Sequence, residues 1–257
     1  MPPGADAGPP ADDHHPAPDG PRATRLTDVP YDVRGVLFDL DDTLLDHSAA
    51  AAAAVRHLVR SVPGWGDDDE TTVGRWRALE EKHFARYAAG EIGMLDQRRE
   101  RVRAFLSLAE ASDAELDAQF ATYLAHYRVS WRAVPGGPEL VLRLLDGGYR
   151  VGVLTNGQAV QQRAKLAAIG LSDTRLLVCV SEELPAAKPS PLAYEAACRA
   201  LGLPPHQVLM VGDHRTNDID AARAAGLHAV HVVPGTSPGR IGDDGVETIA
   251  RVADLRL

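Results

Sequence analysis

The chain has 257 residues, 45% of them hydrophobic, and a formal net charge of −9, which is enough for a large buried core and an inserted second unit. Lysine and arginine are not clustered, and no stretch reaches the about eighteen consecutive apolar residues of a membrane span. We therefore expect neither a nucleic-acid nor a membrane partner. The N-terminus lacks a basic-then-apolar secretory pattern, which predicts a cytoplasmic protein.

Residues 1–30 are rich in Pro, Gly, Asp and Ala and contain almost no large apolar side chains. Such a segment cannot offset the entropy of ordering by burial, so a disordered tail is predicted. The next segment, 31–46, contains an apolar run at 35–38, which has the length of a buried strand. This run ends abruptly in the polar sequence Asp39-Leu40-Asp41-Asp42-Thr43.

Residues 47–133 contain no convincing strand and are predicted to form a helical cap. The predicted helices cover Ala49–Arg60, Glu70–Ala89, Leu95–Glu110 and Ser112–Trp131. Ser112 and Glu115 have the spacing of a capping box, which favours a helix that begins there.

Residues 134–257 alternate between helical segments and apolar strands. The strands are predicted at Val151–Leu154, Leu176–Val180, Val208–Val211 and Ala229–Val233, and each follows a helical segment that closes on glycine. Strands separated by helices pair in parallel through right-handed crossovers. The predicted fold is therefore α/β, a doubly wound parallel sheet built from 31–46 and 134–257, with the helical cap inserted. Cys179 and Cys198 lie in apolar context and are predicted to be buried thiols.

Polar residues follow the strands, where open parallel sheets bind ligands. Asp39, Asp41 and Asp213 would bring three carboxylates into one small volume, which is costly without a cation. Oxygen ligands at this density suit Mg²⁺. Thr155 adds a hydroxyl donor and Lys188 a positive charge, so a phosphoryl group could bind there despite the acidic net charge.

These residues resemble the motifs of the haloacid dehalogenase superfamily over about residues 34–235. The matching segments are Asp39-Leu40-Asp41-Asp42-Thr43, Thr155-Asn156, Lys188, and Gly212-Asp213 with Asp218. The resemblance implies a Rossmann-like core with a helical cap between the first and second motifs. It also implies a phosphatase that works through an aspartyl-phosphate intermediate.

The resemblance implies a role for each matching residue. Asp39 would be the nucleophile, and Asp41 would protonate the leaving alcohol and then activate water. The phosphoryl group would be bound by Thr155, Asn156 and Lys188. Mg²⁺ would be bound by Asp39, the backbone carbonyl of Asp41 and Asp213, with Asp218 orienting that shell.

The expected substrate is a small phosphorylated metabolite, with nucleotides, flavin mononucleotide and sugar phosphates all open. A phosphomutase would use the same residues and is a rival hypothesis. A haloacid dehalogenase is disfavoured because those relatives replace the second aspartate, here Asp41. A non-catalytic binding module is disfavoured because the acidic set and its lysine are complete.

The predicted cap contains polar and aromatic residues whose simpler interpretation is structural. His47 is interpreted as an exposed linker histidine, although it could touch substrate. Arg98, Arg99, Arg101 and Arg103 alternate with Glu100 and are interpreted as a solvated face, although they could recognise a second anionic group. Trp65, Trp76 and Trp131 are interpreted as packing residues.

Overall fold

The computed structural model of the chain describes residues 32–236 and 240–257. In this part of the chain, one sheet contains seven strands in the order β3-β2-β1-β4-β5-β7-β6. The strands are β1 (Gly35–Phe38), β2 (Arg150–Thr155), β3 (Leu177–Val180), β4 (Val208–Gly212), β5 (His228–Val232), β6 (Arg240–Ile241) and β7 (Glu247–Ile249). The predicted disordered tail, 1–30, lies outside the described residues.

The first five strands and β7 are parallel, and β6 pairs with β7 in antiparallel orientation. In the centre of the sheet, Val36 of β1 is in register with Val151 of β2 and Leu209 of β4. The predicted doubly wound parallel sheet is therefore confirmed. The sequence analysis missed β6 and β7, which are too short and too polar to give a strand pattern.

Both faces of the sheet are covered, as a parallel sheet requires. Val36 and Phe38 pack into one apolar cluster, whereas Leu37, which points to the opposite face, packs into the other. The covering helices are α5 (Gly137–Asp146), α6 (Ala159–Ala168), α7 (Pro191–Leu201) and the short α8 (Ala221–Ala224). The second cluster contains Cys179 and Cys198 as free, buried thiols, which agrees with the prediction.

Four helices lie between β1 and α5 in the chain: α1 (His47–Arg60), α2 (Asp69–Ala88), α3 (Met94–Phe105) and α4 (Asp113–Val129). We refer to them as the cap helices and to the sheet with α5–α8 as the core. The domain boundaries themselves remain predictions. None of the helices in the described ranges is both long enough and apolar enough to cross a bilayer.

The ends of the cap helices follow local chemistry. Helix α4 begins with the predicted capping box between Ser112 and Glu115. Helix α3 ends at Phe105, before the predicted Glu110, because the backbone of Ser107 adopts a positive φ of 55° that no right-handed helix can contain.

Candidate active site

The predicted site residues meet at the carboxyl edge of the sheet, where β1, β2 and β4 end. They line one cavity of about 830 Å³ between the core and the cap helices. The residues brought together there are Asp39, Asp41, Thr155, Asn156, Lys188, Asp213 and Asp218. Parallel strands aligned in register bring their ends to one edge, which is why such distant sequence positions become neighbours.

The centre of the site is a buried ion triad. The Nζ atom of Lys188 lies 2.6 Å from Asp39 Oδ1 and 2.6 Å from Asp218 Oδ1. Burial alone would lower the pKa of Lys188, but the carboxylates of Asp218 and Asp39 raise it above its usual value. Lys188 is therefore a fixed cation beside the predicted nucleophile.

One lysine does not balance the carboxylates around it. Oxygen atoms of Asp39, Asp213 and Asp218 all lie within 4.8 Å of one another. Burial is the main reason that the pKa of Asp39 is raised well above its usual value; the charge of Lys188 works to lower it, and the charges of Asp218 and Asp213 raise it further. Burial, followed by the charges of Asp218 and Asp42, raises the pKa of Asp213 to about 7.

This donor set fits a divalent cation. Among the described residues, it offers carboxylate oxygens of the buried Asp39 and Asp218 and the half-buried Asp213, with no sulfur or imidazole ligand, which is the chemistry that Mg²⁺ prefers. Both oxygens of Asp218 already accept hydrogen bonds, Oδ1 from Lys188 Nζ and Oδ2 from the backbone N–H of His214 at 3.0 Å. A Cβ on Gly212 would lie 2.3 Å from Asp218 Oδ2, so only glycine lets this carboxylate approach the strand.

The side chain of Asp41 is held away from this group of carboxylates by helix α6. Lys165 Nζ donates to both of its oxygens, at 2.8 and 2.7 Å, and Gln162 Nε2 donates to Oδ2 at 3.2 Å. Burial works to raise the pKa of Asp41, but the charges of Lys165 and His47 and the hydrogen bonds from Lys165 and Gln162 hold it below its usual value. The sequence analysis missed Gln162 and Lys165, whose only signal was their spacing of three residues, which places both on the face of α6 that carries the buried Ala159 and Leu166.

Thr155 and Asn156 occupy the end of β2. The Thr155 hydroxyl is buried and accepts a hydrogen bond from Gln162 Nε2 at 2.7 Å, so its own hydrogen is free to donate. The Asn156 amide is paired with the backbone of Lys188, donating to its carbonyl at 2.8 Å and accepting from its N–H at 3.0 Å. The Asn156 side chain therefore positions the Lys188 loop, and its contact with phosphate remains a prediction.

His47 lies at the border between core and cap, and the interpretation as an exposed linker histidine is wrong. It is the first residue of α1, and its side chain is only 23% exposed. Its Nδ1 lies 2.6 Å from the Tyr127 hydroxyl and 3.9 Å from Asp41 Oδ1, and its Nε2 lies 3.4 Å from Glu80. Burial lowers its pKa, but Glu80 and Asp41 outweigh burial and raise it to about 9, so this imidazole is charged at neutral pH.

The solvated-face interpretation is also wrong for Arg101. Arg101 is 4% exposed, forms an ion pair with Glu80 and lies over the Trp76 ring at 4.8 Å. Alternation with Glu100 suggested a surface, but Arg101 lies four residues after Gln97 and four before Phe105, which are both buried. The i, i+4 face of α3 thus points inward.

The remaining cap interpretations have mixed outcomes. Arg99 and Arg103 do not reach the cavity and form ion pairs with carboxylates at the start of α4. Trp76 and Trp131 are buried, and Trp65 packs partly buried against the same apolar cluster, which confirms their packing role. Trp76 also lines the cavity.

The chain is similar in sequence to a known family of hydrolases and to several phosphatases. The family model for the haloacid dehalogenase-like hydrolases matches residues 33–226. A phosphoglycolate phosphatase of Nitrosospira multiformis is 32% identical over 82% of this chain and 88% of its own length. A glyceraldehyde 3-phosphate phosphatase of Methanopyrus kandleri is 29% identical over 78% and 84%. A phosphoserine phosphatase of Thermus thermophilus is 30% identical over 86% and 96%.

Solved structures show the same fold. The putative hydrolase YfnB of Bacillus subtilis, a structure bound to magnesium, matches with a TM-score of 0.69 at 23% identity, covering 85% of this chain and 95% of its own. The L-2-haloacid dehalogenase PA0810 matches with a TM-score of 0.64 at 24% identity, covering 86% and 97%.

Proposed function

This chain belongs to the haloacid dehalogenase-like hydrolase family, and we propose that it is a Mg²⁺-dependent phosphatase of short phosphomonoesters that uses Asp39 as its nucleophile. The observation that carries the proposal is the buried triad of Asp39, Lys188 and Asp218 beside Asp213. The curated relatives described above are phosphatases by name. Their named substrates are short, which favours short substrates over nucleotides and flavins for this chain.

Asp39 is arranged to attack phosphorus. Among the described residues, its Oδ1 accepts from Lys188, and no hydrogen bond occupies its Oδ2, which is left to form the bond to phosphorus. The Lys188 charge neutralises the nucleophile and the phosphoryl oxygens that approach it. The free hydrogen of the Thr155 hydroxyl would bind one of those oxygens.

Asp39, Asp213 and the backbone carbonyl of Asp41 would hold the cation, with Asp218 orienting the shell through its contacts to Lys188 and the His214 N–H. A bound Mg²⁺ would supply positive charge to the phosphoryl oxygens and make the crowded carboxylates tolerable. Without a cation, burial and neighbouring carboxylates raise the pKa values of Asp39 and Asp213. The charge of Mg²⁺ would favour the ionised forms of both.

Asp41 would handle the proton. It donates a proton to the leaving alkoxide as the bond to phosphorus breaks, and it later takes a proton from the water that releases phosphate. With Lys165 on both of its oxygens and His47 nearby, the resting carboxylate is ionised. This is the state needed for the second step. The first step therefore needs a proton from the entering substrate or from a neighbouring charged group.

The alternatives have less support. The presence of Asp41 disfavours a dehalogenase, and the likeness to dehalogenase structures at 24% identity concerns the fold alone. A phosphomutase would use the same residues, and it would interconvert phosphorylated sugars without net release of phosphate.

The test is phosphate release from a panel of phosphorylated metabolites and from p-nitrophenyl phosphate with Mg²⁺ present. Asp39→Asn should lower the rate by at least about 10⁴-fold, because the nucleophile is lost. Asp146→Asn, at an exposed carboxylate paired with Arg175, is the matched control and should keep the rate. Full activity of Asp39→Asn, or activity that persists after chelation, would contradict the proposal.

A further inference from the structure

The charged side chains of the cavity wall differ in whether they have a partner. Within the described ranges, the lysine and arginine residues that line the cavity are Arg77, Arg98, Arg101, Lys165 and Lys188. All but one form ion pairs: Arg77 with Glu81, Arg101 with Glu80, Lys165 with Asp41, and Lys188 with Asp39 and Asp218. The exception is Arg98, which has no carboxylate partner in the described part of the chain.

Arg98 instead donates from Nη2 to the neutral amide oxygen of Gln158 at 2.8 Å. Gln158 lies in the loop between β2 and α6 of the core, so this contact joins the cap to the core at that loop. The guanidinium lies 5.1 Å from the centre of the Phe120 ring. Burial lowers the pKa of Arg98, and the charges of Arg101 and Arg128 lower it further. A partly buried cation among cations is unfavourable unless an anion joins it.

A second observation on the same helix points to a ligand. Gln97 and Arg101 are 3% and 4% exposed and line the cavity, yet Gln97 Oε1 and Arg101 Nε have no hydrogen-bond partner. The other end of the Gln97 amide is used, since Nε2 contacts Met94 Sδ at 3.2 Å. Buried polar atoms in native proteins are nearly always paired. One donor and one acceptor therefore lie unpaired beside the unpartnered cation, each with less than 1 Å² of accessible surface.

We propose that one turn of α3 forms a second binding site within the cavity, in which Arg98 binds a second anionic group of the substrate. That group is a carboxylate or a second phosphate, since a planar guanidinium recognises both through paired hydrogen bonds. Arg101, one turn further along α3, adds positive charge beside Arg98. This inference rests on the proposed phosphatase function and narrows its substrates to short phosphomonoesters with a second negative charge.

The test compares substrates that share a two-carbon chain. Phosphoglycolate, ethylene glycol bisphosphate and ethyl phosphate differ at the end away from the scissile phosphate, which carries a carboxylate, a phosphate or neither. The wild type should prefer one anionic substrate over ethyl phosphate in kcat/KM, and the preferred one identifies the anion. Arg98→Gln should reduce that preference by about 30-fold or more, as expected for removing one partner of a partly desolvated charge pair. The loss should appear mainly in KM.

Arg77→Gln is the matched control, because Arg77 is an exposed arginine of the same wall that already pairs with Glu81, and it should keep the preference. Two results would overturn the inference: a wild type that does not favour either anionic substrate, or an Arg98→Gln variant whose preference is unchanged. Failure of the phosphatase proposal looks different. It would appear as no phosphate release from any substrate, or as equal release by Asp39→Asn.

Discussion

The two walls of the cavity carry opposite imbalances of charge. On the core wall, Asp39, Asp213 and Asp218 share Lys188, and burial raises the pKa of Asp39 and Asp213. On the cap wall, His47, Arg98 and Arg101 carry positive charge, and one carboxylate contacts two of them. Glu80 contacts His47 and Arg101, and Arg98 has no acidic partner in the described residues.

The difference indicates what each wall lacks. The core wall is short of positive charge, which a divalent cation would supply, and the cap wall is short of negative charge, which an anionic group of the substrate would supply. A phosphomonoester with a second anionic group, bound with its metal ion, would correct both imbalances. We therefore expect the cavity to bind a pair of ligands of opposite charge. The variants below remove one charge at a time.

The largest effect on stability is expected from removing the carboxylate that pairs with Arg101 inside the cap. Glu80→Gln leaves the 4%-exposed Arg101 without its carboxylate, which should destabilise the protein by about 3 kcal/mol. For a chain of this size, that lowers Tm by about 6–12 °C, measured by calorimetry at pH 7. Glu81→Gln changes the neighbouring, exposed carboxylate and should cost under about 0.5 kcal/mol. Equal shifts for both variants would contradict the buried network.

Removing the charge that holds Asp41 should affect catalysis more than stability. Lys165 holds Asp41, so Lys165→Met should slow phosphate release about a hundredfold through loss of acid–base function. The loss should be larger for alkyl phosphates than for p-nitrophenyl phosphate, whose leaving group hardly needs a proton. In an Asp41→Asn background the second change should add nothing.

Arg163→Met is the matched control for Lys165→Met, because Arg163 lies on the same helix but points to solvent and pairs with Glu183. It should leave both substrates unaffected. A Lys165→Met loss that is the same for alkyl and aryl substrates would indicate a general packing defect rather than an effect through Asp41.

The site residues of the core wall could be predicted from the sequence because they lie at or directly after the ends of strands. A parallel sheet fixes where strand ends meet, so Asp39, Thr155 and Asp213 converge whatever the loops do. The strands β1 to β5 were likewise predicted to within about two residues.

The cap wall could not be predicted in the same way. The contact of His47 with Glu80 depends on how α1 and α2 pack against each other, and the contact of Lys165 with Asp41 depends on how α6 packs beside the loop after β1; no short spacing encodes either arrangement. Arg101 was misread because its neighbours in sequence are charged, whereas its neighbours on the helix face are buried. A tally of residues at i±4 would have shown its inward direction.

The raised pKa of Asp213 on the core wall should make the stability of the protein depend on pH. The pKa of Asp213 is raised from 3.8 to about 7 in the folded, metal-free protein, so the folded state binds the extra proton. Stability from this proton is present at low pH and is lost as pH rises through about 7. After a discount for partial exposure, the loss is about 2 kcal/mol, or about 4–8 °C in Tm.

The measurement is Tm from pH 5 to 8 in EDTA and in Mg²⁺. Mg²⁺ should raise Tm more at pH 8 than at pH 5, since the ion binds the ionised carboxylates. Asp213→Asn should flatten the dependence on pH in EDTA and reduce the Mg²⁺ shift. A Mg²⁺ shift that is the same at both pH values, or unchanged in the variant, would contradict a cation at this wall.

The smallest effect on stability is expected from Ser112, which stabilises the N-terminus of a cap helix and carries no charge. Ser112 caps α4, whose residue Tyr127 contacts His47, so Ser112→Ala should cost about 1 kcal/mol by leaving an N–H of the first turn unpaired. Thr122→Ala, at an exposed hydroxyl of the same helix bonded to the Ala118 carbonyl, should change stability by less than about 0.5 kcal/mol. Chemical denaturation distinguishes the two variants. The Ser112→Ala change removes no reacting group, so kcat on p-nitrophenyl phosphate should stay within about twofold. A large drop in kcat would mean that the position of α4 matters for the reaction itself.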